Sequence, residues 1–114
     1  MTVEARANAL KITCSDGLEV DLAPLQGLWT EQQYLRLTEQ TSHLIEFTDG
    51  CIEVLPMPTS RHQTILLLLY ERFKMAVQPG GGKVLVVPLR LRLRPGKFRE
   101  PDVLLLRSAA DPRY

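Results

Sequence analysis

"HLIEFTDGCIEVLPMP", His43–Pro58, is the stretch whose reading decides the fold. Asp49-Gly50 is a dipeptide that favours the tight two-residue turn, where both central residues take positive φ. Apolar residues alternate on either side, which predicts strands Leu44–Thr48 and Cys51–Leu55. Counting outward from the turn sets the register, with Phe47 opposite Ile52 and Glu46 opposite Glu53. Two carboxylates facing each other across a ladder repel. Either solvent screens them or a cation sits nearby.

The stretch that follows, "PTSRHQTILLLLYERFKMAVQPGGG", reads as the main helix. Ser60 and Gln63 have capping-box spacing, and Pro79 with glycines 80–82 ends the helix. A broad apolar band (Ile65, Leu66, Leu68, Leu69, Phe73, Val77) predicts deep packing against a sheet. The three glycines lack the Lys-Ser/Thr of a phosphate loop and follow a helix instead of opening one, so they are a helix stop. Upstream, "WTEQQYLRL" starts a shorter helix: Thr30 caps, Gln33 closes a box, Trp29 can staple onto Tyr34, and the helix ends near Thr41. Before it, "LKITCSDGLEVDL" alternates around Asp16-Gly17 as a second short hairpin, and Pro24 and Gly27 then break the pattern.

Downstream, "KVLVVPLRLRLRPGKFREPDVLLL" predicts two more strands around a Pro95-Gly96 turn. Strict alternation places Arg90, Arg92 and Arg94 on one face and leucines on the other. Pro88 marks a bulge or an edge, since it cannot donate to a ladder. Val103–Leu106 shows no polar alternation, as expected for a strand buried on both faces. Asp102 would then stand where the interior begins, and an unpaired charge there is costly. Something cationic should face it. Together these elements give an α+β fold, a mixed or antiparallel sheet of two hairpins packed against one long and one short helix. Residues 1–28 form an amino-terminal extension and residues 29–114 the main domain.

The chain has 114 residues, enough for one domain and a single core. Its net charge of +1 advertises no affinity for nucleic acid, so any basic surface must come from local clustering. Its longest apolar run, Ile65–Tyr70, is far too short to span a bilayer. No basic-then-apolar leader opens the sequence. Cys14 and Cys51 build no disulfide framework and lack metal-ligand spacing. The cytoplasm is the expected compartment, and no membrane partner is expected.

Chemistry can reside in three acids, Glu46, Glu53 and Asp102. Hard divalent cations such as magnesium take one or two protein carboxylates together with waters and substrate phosphate. In phosphodiester hydrolysis the metal polarises the phosphate and can supply hydroxide. A carboxylate at a strand end with another on a neighbouring element suits that need. Asp102 equally suits a strand-end role, bonded to backbone or to Arg94, and Glu53 a solvent-facing one. His62, in the first turn of the main helix, can contact phosphate or act as acid or base, or simply lie at the surface. His43 has no supporting context. The basic cluster comprises Arg90, Arg92, Arg94, Lys97 and Arg99. It can track phosphates without reading sequence, or protect an edge strand from pairing.

Taken together, "LIEFTDGCIEVLPMPTSRHQTI", "VVPLRLRLRPGKFREPDVLLL" and "WTEQQYLRL" resemble the Uma family of restriction endonucleases, within the PD-(D/E)XK nuclease superfamily. The likeness runs from about Trp29 to the last residue. It rests on a Glu before the Asp-Gly turn, a proline-rich step, Ser-x-His-Gln at a helix start, and Pro-Asp before an apolar strand. It implies a restriction-endonuclease-like α/β core around a bent sheet and magnesium- (or manganese-) dependent cleavage of DNA. Glu46 matches the family's acidic position before the turn, Asp102 the Asp of Pro-Asp, and His62 the histidine opening the long helix. Glu46 and Asp102 would be the metal ligands. Glu53 matches no family acid.

One departure stands out. In the family a further strand carries Glu-Val-x-Ser or a variant, with a lysine downstream, and these complete the metal site. Here "RSAADPRY" follows the Pro-Asp strand, and no lysine–glutamate pair follows Asp102. The sequence therefore reads as the amino-terminal part of a nuclease with an incomplete core, weak in metal binding and low in turnover. Its open strand edge would be prone to association, homodimers included. The alternative is a non-catalytic module that holds nucleic acid through the arginine-rich strand, or a partner through that edge.

Overall fold

The computed structural model describes residues 10–86 and 89–112. The bulge or edge position expected at Pro88 lies outside the described residues. In chain order the elements are β1 (Lys11–Thr13), β2 (Glu19–Asp21), α1 (Glu31–Gln40), β3 (Ile45–Thr48), β4 (Cys51–Val54), α2 (Ser60–Val77), β5 (Lys83–Val86), β6 (Leu91–Arg94), β7 (Lys97–Arg99) and β8 (Val103–Leu106). The fold is α+β, and every strand pair is antiparallel. Among the described residues the strands form three sheets, β1-β2, β4-β3-β7-β6 and β5-β8, where a single sheet of two hairpins was expected. The chain divides into two compact units, residues 1–57 with 91–100, and residues 58–90 with 101–114.

The first unit is built on the Asp49-Gly50 hairpin. Its register is the one obtained by counting from the turn, with Phe47 opposite Ile52 and Glu46 opposite Glu53. Asp49 takes φ of 45° and Gly50 of 91°, the left-handed pair that such a turn demands. One face of β3 and β4 buries Ile45, Phe47 and Ile52. These join Tyr34 and Leu37 of α1, Phe98 of β7, and Ile12 and Leu22 from the β1–β2 region in one core. Tyr34 is its centre: fully buried, with ring centroid 5.2 Å from both Phe47 and Phe98. Its hydroxyl donates to the Ile45 carbonyl at 2.8 Å, so the one polar atom it carries inward is satisfied. Helix α1 starts as expected, with Thr30 Oγ1 accepting from Gln33 N and Gln33 Oε1 from Thr30 N. Trp29 Nε1 donates to the Leu22 carbonyl.

Two side-chain devices finish the sheet. Edge strand β4 would leave Ile52 with an unpaired N–H and C=O, but Gln26 answers both. Its Nε2 donates to Ile52 O at 2.6 Å and its Oε1 accepts from Ile52 N at 2.8 Å, so an amide side chain stands in for a strand residue. At the other side, β6 pairs with β7 as Arg92↔Phe98 and then Arg94↔Lys97, a bulge at Leu93. The arginine stripe is thus not one uninterrupted face. The extra residue breaks the two-residue period, and Leu93 is 52% exposed instead of packed inward.

The second unit packs α2 on the β5-β8 ribbon, in register from Lys83↔Leu106 to Val86↔Val103. Three expectations change here. The helix cap is Thr59, one residue before Ser60, and its hydroxyl accepts from His62 N at 3.1 Å. The helix does not bury a broad band: Leu66 is buried and His62, Tyr70, Phe73 and Val77 half-buried, while Ile65 and Leu67 through Leu69 are exposed. A two-strand ribbon is too narrow to cover more than one stripe of an eighteen-residue helix. For the same reason β8 is not enclosed on both faces. Among the described residues it has the single neighbour β5, and Leu105 is 44% exposed.

Candidate active site: a histidine–aspartate pair

Within the second unit the structure brings two of the candidate residues together. His62 is held in the first turn of α2 by the Thr59 cap, and Asp102 immediately precedes β8. Nε2 of His62 lies 3.2 Å from Oδ2 of Asp102. A carboxylate only accepts, so the shared proton sits on Nε2. Nδ1 is enclosed and has no hydrogen-bond partner among the described residues. The Asp102 side chain is 61% exposed, so it does not stand in a dry interior as its apolar neighbours suggested. Solvent stabilises the charge, and the group facing it is an imidazole and not Arg94.

Glu46 belongs to the first unit and is held differently. Its side chain is 14% exposed. Oε2 accepts from Glu100 N at 2.8 Å, and Oε1 lies 3.8 Å from Nε of Arg99. Arg99 is itself anchored by donating to the carbonyls of Phe47 and Phe98. The repulsion between Glu46 and Glu53 is therefore relieved from both sides, since Arg99 faces Glu46 and Glu53 is exposed.

The basic residues largely face partners in the chain. Arg92 Nη2 lies 3.1 Å from Glu31 Oε1, and its guanidinium sits over the Phe98 ring at 5.9 Å. Arg94 grips Asp49 in two hydrogen bonds, Nη1 to Oδ1 at 2.9 Å and Nη2 to Oδ2 at 3.0 Å. The Arg94 hydrogen bond holds the Asp49 carboxyl below its ordinary value of 3.8, and Asp49 raises Arg94 in return. Arg90 lies in the second unit. Glu31 and Asp49 are the residues the sequence did not single out. Their only signals were a first-turn acid and a turn aspartate, neither of which points to an arginine sixty-one or forty-five residues away.

The donors suit a hard cation in kind: Asp102 offers an exposed carboxylate of which only Oδ2 is engaged among the described residues. Magnesium keeps several waters and needs one or two protein carboxylates, so such a donor is adequate. Among the described residues no three His, Cys, Asp or Glu side chains gather as a metal cluster. No helix among them is long and apolar enough to cross a membrane.

Compared with known families, residues 31–114 match the model of Uma2, described as "putative restriction endonuclease". No curated protein and no solved structure matches the chain.

Proposed function

Because the chain belongs to the Uma2 family of restriction endonucleases, we propose that it serves magnesium- or manganese-dependent hydrolysis of DNA phosphodiesters, with Asp102 and Glu46 as metal carboxylates and His62 as acid or base. The observation that carries this reading is the contact between His62 and Asp102, two residues forty positions apart that both fall in the matched region. When bound, the cation polarises the scissile phosphate and lowers the pKa of its water. The chain's own groups do the remaining work. Asp102, through Oδ2, holds the proton of His62 on Nε2 and so orients the ring. To act as an acid, Nε2 must exchange its bond with Asp102 for one to the departing oxygen, since Nδ1 is enclosed. Glu46, fixed by the Glu100 amide and Arg99, keeps a single orientation.

The supporting experiment is magnesium titration of Asp102→Asn against the unaltered chain, with DNA binding measured in parallel. Magnesium affinity should fall at least tenfold while DNA binding is largely kept; unchanged magnesium affinity would overturn the assignment. Plasmid nicking with and without magnesium tests turnover, and undiminished cleavage in excess chelator contradicts the mechanism. Phosphate contacts by Arg90, Arg92, Arg94, Lys97 and Arg99 remain part of the proposal, with Arg92→Glu as the test. They would compete with the Glu31 and Asp49 ion pairs. Cytoplasmic residence and pairing of two chains along the open edge of β8 complete the reading, the latter checked by sedimentation.

A further inference from the structure

The second unit contains a cavity of about 280 Å³ between the last turns of α2 and the start of β5. Tyr70, Lys74 and Val77 line it from the helix, Gly82 and Lys83 from the strand side, and Ala109 from beyond β8. Its main chain is pinned: Gly82 N donates to Val77 O at 2.9 Å and Ala109 N to Gly81 O at 2.7 Å. Gly82 cannot be enlarged, because a Cβ there would come within 2.7 Å of the Leu106 carbonyl. The wall at Gly82 and Ala109 is therefore fixed by backbone, and the lysine side chains reach in from either side of it.

We propose that this cavity binds a phosphate group through Lys74 and Lys83. Two of its lining side chains are cationic and none is acidic, in a chain whose charges otherwise nearly balance. Neither lysine forms an ion pair with a carboxylate among the described residues, whereas Lys11, Arg92, Arg94 and Arg99 each do. Lys74 is held in place by the Tyr70 ring, with its ammonium 5.8 Å from the centroid. The helix C-terminus contributes roughly half a negative charge and the two ammoniums two positive ones, so the site stays net cationic. Lysines act as point charges on tetrahedral phosphate, and the planar fork that selects carboxylates is absent from the lining. The volume lies just below the usual range for drug-sized ligands and suits a single small group. The assignment requires phosphate recognition alone and stands whether or not the chain cleaves DNA.

The test is amide NMR of the whole chain titrated at low salt with inorganic phosphate and, separately, with a ten-residue thymidine oligonucleotide. Saturable shifts confined to Gly82, Lys83, Val84 and Ala109 are expected, weakened at least tenfold in Lys74→Ala/Lys83→Ala. Tighter binding of the oligonucleotide, with a salt slope that the double substitution reduces by about 1.4, identifies a nucleic-acid backbone as the source. Equal binding of both probes identifies a free phosphate. Both lysines are exposed, so the fold should survive their loss, and Lys83→Gln alone provides an independent variant. Shifts spread elsewhere, or unchanged affinity in the double variant, would overturn the proposal.

Discussion

Alanine at Gly50 and alanine at Gly17 should differ in cost, although the two backbones are nearly the same. Their φ angles are 91° and 85°, so each substitution forces an L-residue into the left-handed region, at about 1–2 kcal/mol. Around Gly17 the added Cβ meets nothing within 4 Å. At Gly50 it would lie 2.5 Å from the carbonyl oxygen of Gly27 and 2.7 Å from its carbon. Both are backbone atoms, and Gly50 O is itself tied to Gly27 N and Trp29 N at 2.9 and 3.1 Å. The contact cannot relax without giving up those bonds, so overpacking adds about 1–3 kcal/mol. Gly17→Ala should therefore lose about 1–2 kcal/mol and Gly50→Ala about 2–5, the latter a large part of a domain's usual stability. Urea unfolding followed by the fluorescence of Trp29, the sole tryptophan, measures both. Equal losses within about 0.5 kcal/mol would refute the steric argument and leave only backbone strain.

Tyr34→Phe removes the hydroxyl that satisfies Ile45 O, and thermal unfolding should show a loss of about 1–2 kcal/mol with the aromatic cluster intact. Gln26→Ala strips both partners from Ile52 and should cost about 1–3 kcal/mol, with faster hydrogen exchange at the Ile52 amide as the local signature. Asp49→Asn tests the Arg94 pair through pH. Because the hydrogen bond from Arg94 lowers the Asp49 pKa below 3.8, its stabilisation is complete above that value and fades as pH falls through the folded one. The unaltered chain should exceed the variant at neutral pH, and the two should converge in acid. A difference independent of pH would mean that charge is not the cause.

Local order was legible wherever neighbouring residues carry the information. The Asp49-Gly50 turn dictates its hairpin, since a two-residue loop leaves one register that keeps Ile45, Phe47 and Ile52 on a common face. The Thr30–Gln33 box likewise spans only three positions. At the second helix the spacing of Ser60 and Gln63 misled by one residue, because Thr59 offers the same hydroxyl and the extended backbone that a cap needs. Of the candidate site, the types of residue were legible but their partners were not. Arg92 and Arg94 suggested a phosphate-tracking stripe, yet a bulge at Leu93 and two acids from distant segments determine what they touch.

What the sequence by itself determined is the α+β class, the antiparallel hairpins, the two helices and the family. Each depends on short-range pattern: turn chemistry, capping and the period of apolar residues. Only the tertiary structure decided which charges meet. His62 beside Asp102, Arg94 on Asp49 and Gln26 along β4 join residues between twenty-six and forty-five positions apart. It also decided burial, because an apolar strand or helix is enclosed only as far as its neighbours reach. Val103–Leu106 and the outer face of α2 are as apolar as any core segment, and a two-stranded ribbon leaves much of both in contact with water.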